Sequence, residues 1–168
     1  WAFQPIRRGD LPAVKNSATI AQDATLDFPV TVPAGTSYAR FSLFDSEVNQ
    51  AADLDLEVYR NGALVGSSGG PTAAEEVSLR NPTAGTYTVK VIGYATTGTA
   101  SFNFFNWVLD STAAGNMTVS APANAVTGTQ GTVTLTTSGL ATGTKYLGSV
   151  AYGGSSSMPN PTIVRIDK

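Results

Sequence analysis

The sequence predicts an all-β protein built as two β-sandwich units, and three observations carry that expectation. Helical periodicity is nearly absent along the 168 residues. Short runs of alternating apolar and polar residues recur instead, each bounded by Gly, Pro or Asn. After Leu109 the texture changes: Asp110-Ser111-Thr112-Ala113-Ala114-Gly115 reads as a linker, and aromatic density falls beyond it.

The elements follow in order. Residues 1–20 are an N-terminal segment, residues 21–111 the first sandwich and residues 112–168 the second. In the first sandwich Phe41 and Leu43 share one face of a strand. Leu54, Leu56 and Val58 share one face of the next, which leaves Asp53, Asp55 and Glu57 on the other. Asn61-Gly62 joins that strand to Ala63-Leu64-Val65 as a hairpin, because both turn residues tolerate positive φ. Asn81-Pro82 and Ala84-Gly85 bracket a turn between Val77–Leu79 and the alternating Tyr87, Val89 and Val91, where a second hairpin is expected. Phe102 to Leu109 carries aromatic residues on both faces and so reads as a central strand covered on each side, or one with a bulge. The second unit offers strands at Met117–Ala121, Val133–Thr136, Tyr146–Tyr152 and Thr162–Ile166, a pattern like part of an immunoglobulin or fibronectin type III sandwich. Fewer than 60 residues are short for seven strands. Either the unit is a minimal sandwich or the stretch Phe3 to Ile20 folds back to complete it.

Composition narrows the function. Apolar residues make up 42% and charged residues 13%, with no apolar run long enough to span a membrane, so the chain is expected to be soluble and globular. The net charge is −2 and the ten basic residues are scattered, which removes the electrostatic footprint of a nucleic-acid binder. Cysteine is absent, which excludes disulfides, thiolate zinc sites and thiol nucleophiles. Histidine is absent too, so a Ser-His-Asp triad is impossible and the commonest general base is missing. No spacing recommends a Ser-Lys dyad at Lys15, Lys90, Lys145 or Lys168. Glu75 and Glu76 are adjacent in a predicted strand and should point to opposite faces, so they do not make an acid and base for one substrate. Trp1 begins without a charged and then apolar leader, and the chain reads as a fragment or a processed product.

Three ordered blocks carry a family resemblance: Ala52-Asp53-Leu54-Asp55-Leu56-Glu57-Val58-Tyr59, then Glu75-Glu76-Val77-Ser78-Leu79, then Asn81-Pro82-Thr83-Ala84-Gly85-Thr86-Tyr87-Thr88-Val89-Lys90-Val91. In order and spacing the chain resembles bacterial pre-peptidase C-terminal domains over roughly residues 20 to 110. The tail Gly139-Leu140-Ala141-Thr142-Gly143-Thr144-Lys145-Tyr146-Leu147-Gly148, closing on Thr162-Ile163-Val164-Arg165-Ile166-Asp167, resembles the C-terminal end of subtilisin-family peptidases. The resemblance implies a jelly-roll-like sandwich followed by a small immunoglobulin-like one. It also implies a secreted, extracellular, non-catalytic accessory region of a subtilisin-like serine protease, whose partners are its own catalytic domain and a macromolecular protein substrate. A stand-alone extracellular binding or adhesion module for carbohydrate or protein is the alternative.

One constellation bears chemistry. Asp45, Glu47, Asp53, Asp55 and Glu57 lie within thirteen residues, with no basic residue between Arg40 and Arg60. Calcium takes hard oxygen ligands from such loops, and Asp45, Asp53 and Asp55 are the candidate ligands. A solvated acidic edge that discourages strand-to-strand association is the other reading. Tyr38, Tyr59, Tyr94, Trp107 and Tyr152 could form a platform for carbohydrate or collagen, or simply fill the core. Arg8-Gly9-Asp10 spells an adhesion tripeptide, and Asn116-Met117-Thr118 spells a glycosylation sequon that matters only in a secretory host that modifies it.

Overall fold

The computed structural model describes residues 4–124, 126, 128–153 and 160–168. It is all-β, and its antiparallel sheets form sandwich-like units. The strands are β1 (Gln4–Pro12), β2 (Val14–Ala21), β3 (Thr25–Val32), β4 (Tyr38–Ser42), β5 (Asp53–Arg60), β6 (Ala63–Ser68), β7 (Glu76–Arg80), β8 (Gly85–Ala95), β9 (Thr99–Leu109), β10 (Met117–Ser120), β11 (Thr134–Thr137), β12 (Lys145–Gly153) and β13 (Thr162–Asp167). Asp45–Glu47 makes a single 3-10 turn between β4 and β5. Among the described residues no helix is long and apolar enough to cross a membrane.

The chain divides into two compact units, Val14–Asp110 and Trp1–Ala13 with Ser111–Lys168. In the Val14–Asp110 unit two four-stranded sheets, β2-β9-β4-β7 and β3-β8-β5-β6, supply a common core. Alternation explains which residues enter it. Leu54, Leu56 and Val58 of β5, Val89 and Val91 of β8, and Phe41 of β4 are fully buried, whereas Asp53, Asp55 and Glu57 on the opposite face of β5 are only half-buried. The Asn61-Gly62 turn closes β5 onto β6 with φ of 51° and 78°, the positive pair that this hairpin turn demands.

The hairpin expected around Asn81–Gly85 does not form. β7 pairs with β4, whereas β8 pairs with β3 and β5, so the connection crosses from one sheet to the other. Asn81 takes a positive φ of 46° and Pro82 cannot donate to a ladder, which together turn the chain out of the sheet of β7. The hydroxyl of Tyr87 then donates to the carbonyl of Thr83 at 2.9 Å and fixes the entry of β8. β9 is a central strand between β2 and β4 with no shift of register in either pairing. Phe102 and Phe104 enter the core, and Phe105, Trp107 and Leu109 on the alternate positions are buried as well.

Residues 1–20 do not act as one segment. β1 pairs with β12, while β2 pairs with β9 and sends Ile20 into the core of the other unit. The divide falls after Ala13, whose N–H still donates to the Lys145 carbonyl at 2.9 Å before the chain passes into β2. In the Trp1–Ala13 and Ser111–Lys168 unit, the sheet β1-β12-β13 is accompanied by the two-stranded ribbon β10-β11, giving five strands among the described residues. Leu147, Val150 and Met117 are buried there, and the Tyr146 hydroxyl accepts from the Ala141 N–H at 2.9 Å.

Candidate functional site

Two members of the acidic constellation, Asp45 and Asp53, sit at one end of the Val14–Asp110 sandwich, where connections from both sheets converge. Asp45 lies in the 3-10 turn after β4, Asp53 opens β5, and the turn between β8 and β9 supplies Thr96. Together with Gln50 and Thr72 these line a cavity of about 680 Å³. Opposite Asp53 the register of β5 on β8 shifts, so that Asp53 pairs with Ala95 and Leu54 with Gly93. The shift leaves Tyr94 outside the pairing, 64% exposed.

The structure brings Asp45 and Asp53 onto this cavity but not Asp55. The Asp55 carboxylate lies against the β6–β7 connection, so close that a Cβ at Gly69 would sit 2.9 Å from its Oδ1. Beyond Gly69, the buried Glu75 accepts from the Ser68 hydroxyl and from the Gly70 N–H at 2.6 Å. Glu47 is engaged elsewhere, by Asn103 Nδ2 at 2.8 Å and Lys15 Nζ at 3.8 Å. Glu57 accepts from the Tyr59 hydroxyl at 2.8 Å. Among the described residues no three carboxylates gather as a group that could hold a metal ion. Melting curves in calcium and in chelator decide the calcium expectation for Asp45, Asp53 and Asp55. A bound ion at a hundredfold excess over its dissociation constant would add about 2.7 kcal/mol, and identical curves dispose of it.

Burial raises the pKa of Asp55 above the ordinary carboxylate value, and the charges of Asp53, Glu75 and Glu57 raise it further. A raised pKa in the native state means that the fold favours protonated Asp55. Its contribution to stability is therefore present at low pH and lost as pH rises through the native pKa. Asp55→Asn is accordingly expected to raise the melting temperature slightly at neutral pH, with the gain vanishing below about pH 3.8. Thermal melts across that range check this, and a variant that melts lower at neutral pH only when calcium is present would make Asp55 a metal ligand.

The remaining candidates are dispersed. Tyr38 and Trp107 are buried, Tyr59 and Tyr152 are half-buried with bonded hydroxyls, and only Tyr94 of the five is well exposed, so they do not form a platform. Arg8-Gly9-Asp10 lies within β1, where the register on β12 shifts between Arg8 and Leu11. Glu75 is buried while Glu76 is exposed and holds Arg40 at 3.1 Å, so the two are turned apart. Sequence reasoning missed Gln50 and Thr96, which reach the cavity only because the β4–β5 and β8–β9 connections meet at one end of the sandwich.

No family model matches the chain. Over 67 residues, 39% of its length, it is 39% identical to Pyrolysin of Pyrococcus furiosus, and it spans 5% of that protein. Among solved structures it has a likeness to PliG of Aeromonas hydrophila, a periplasmic lysozyme inhibitor of g-type lysozyme. The identity is 10%, the TM-score is 0.42, and the match covers 58% of this chain and 86% of that one. At that score the likeness carries no argument about function.

Proposed function

We propose that this chain is a non-catalytic accessory region of a secreted subtilisin-like serine protease, acting in folding, stability or engagement of a macromolecular protein substrate. The similarity to Pyrolysin, a subtilisin-like protease, carries this reading, because it is a match of this chain to a small part of a much longer protein. The missing histidine supports it, since the chain has no triad of its own. So does the architecture: a sandwich whose open end, lined by acidic and amide residues, offers a surface for another chain.

Two measurements test the proposal. The purified chain is expected to leave casein uncut beyond a blank, and hydrolysis by it would overturn the non-catalytic assignment. The reading frame upstream of Trp1 is expected to encode a subtilase catalytic domain. A signal peptide directly before Trp1 would instead favour a stand-alone binding or adhesion module for carbohydrate or protein.

A further inference from the structure

We propose that Asn61, in the turn between β5 and β6, is a site of spontaneous modification: the Gly62 backbone nitrogen attacks its side-chain amide, and water then leaves aspartate or isoaspartate in its place. Four features place the reaction there. In an Asn-Gly pair the attacking nitrogen is least hindered, because glycine carries no side chain beside it. An added Cβ at Gly62 would meet nothing within 4 Å, so no neighbouring group roofs over that face of the turn. Among the described residues no hydrogen bond holds the Asn61 side chain or the Gly62 N–H. Residues 61–65 are exposed without a break, which leaves the tip of the hairpin little burial to keep it shut.

The ladder beneath the tip is short as well. Arg60 pairs with Ala63 and Tyr59 with Leu64, and then the register shifts, so that Val58 pairs with Gly66. Fraying of those two pairs frees the backbone between Asn61 and Gly62 to rotate, which brings the Gly62 nitrogen to Asn61 Cγ. The nitrogen loses its proton to a base in solution and bonds to Cγ, while the bond from Cγ to the amide nitrogen breaks and ammonia leaves. The five-membered imide adds water at one carbonyl to give aspartate or at the other to give isoaspartate. Water is the co-reactant, and nothing is oxidised or reduced. Asn49, Asn81 and Asn103 do not share these conditions. Asn81 precedes Pro82, whose nitrogen has no proton to lose. Asn49 accepts from the Ser101 N–H at 2.9 Å, and Asn103 is held by the Ser17 hydroxyl and by Glu47.

Isoaspartate carries the main chain through its own Cβ, one carbon longer, and a two-residue turn with φ of 51° and 78° has no place for it. The damage stops at a definite point. On the β5 side Arg60 stays anchored, because its guanidinium donates to the Ala84 carbonyl at 2.9 Å. The base of β6 is seated too. Gly66 lies so close to β7 that a Cβ there would fall 2.6 Å from Val77 Cγ1, and the Ser68 hydroxyl donates to the buried Glu75. Residues 61–65 therefore open while residues 66–68 remain paired with β5.

The site stands apart from the accessory role proposed above, and neither depends on the other. To test it, the ¹⁵N-labelled chain is aged in mildly alkaline and in mildly acidic buffer at a temperature where it stays folded, beside a synthetic peptide spanning residues 58–66. Digestion and mass spectrometry read the replacement of an amide by a hydroxyl, and chromatography separates the aspartate and isoaspartate products. In the folded chain conversion is expected at Asn61 ahead of every other asparagine, and severalfold faster in the alkaline buffer because the attacking nitrogen must lose its proton. Asn61→Ser should abolish it, and Gly62→Ala should slow it severalfold. Amide dispersion away from the turn shows that each variant folds. In the aged chain the amides of residues 61–65 are expected to move to unstructured positions, whereas those of Gly66 and Ser68 keep theirs. A peptide that converts beside a folded chain that does not would overturn the proposal, since the hairpin then keeps Asn61 and Gly62 apart. So would faster conversion at another asparagine, or an aged chain whose residues 61–65 keep their amide positions.

Discussion

Phe104→Ala is expected to lower the stability of the Val14–Asp110 unit by about 3–5 kcal/mol, the range for truncating a fully buried aromatic ring. Phe104 has no exposed surface and stands on β9, inside its sheet between β2 and β4. Its ring centroid lies 4.9 Å from that of Phe28 on β3, a strand of the other sheet, so the pair joins the two layers of the sandwich. Removing the ring leaves a void that β9, bonded on both sides, cannot close by shifting. Phe28 is only half-buried and can lean inward, which sets the cost nearer the lower end of the range. Urea melts should show the midpoint falling at constant slope, as stability changes without loss of compactness. Tyr94→Ala, at an exposed site beside the same core, should stay within about 0.5 kcal/mol. A loss at Phe104 below about 1 kcal/mol would mean that the two sheets do not face each other across this ring.

That packing was legible in the sequence because β-strand alternation is a local property. Leu54, Leu56 and Val58 declared a buried face before any partner strand was known, and Asn61-Gly62 declared its turn. Strand partnership is not local, and there the reading failed at Asn81–Gly85. The same residues suit a hairpin turn or a crossing between sheets, and only the pairing of β7 with β4 decides between them. The N-terminal segment posed the same difficulty: Phe3 to Ile20 was open to folding back onto the second unit, and only the pairing of β2 with β9 places Ile20 in the core of the first. For the site, the carboxylates Asp45 and Asp53 were visible as a run of acidic residues. Their separation from Asp55 was not, because Gly69 has no side chain to signal that its backbone crowds that carboxylate.

Gly93→Ala is expected to cost about 3 kcal/mol, the upper part of the range for forcing an extra carbon into packed surroundings. Gly93 lies in β8, and a Cβ built there would fall 2.3 Å from the carbonyl oxygen of Ala21, far inside van der Waals contact. Unlike the tip of a flexible side chain, that oxygen cannot swing away. It belongs to the turn between β2 and β3, and the Ala24 N–H donates to it at 3.2 Å. The turn is itself tied to Gly93, whose N–H donates to the Ala24 carbonyl at 3.0 Å and whose carbonyl accepts from the Asp23 N–H at 2.8 Å. A methyl group must push the turn off β8, lengthening both of these bonds while Ile20 beside it is held in the core. Gly62→Ala separates this steric cost from ordinary backbone strain. At Gly62 φ is +78° and an added Cβ meets nothing within 4 Å, so the loss there should be only about 1 kcal/mol. If Gly93→Ala unfolds no more readily than Gly62→Ala, the turn between β2 and β3 does not seat on β8 as closely as these distances require.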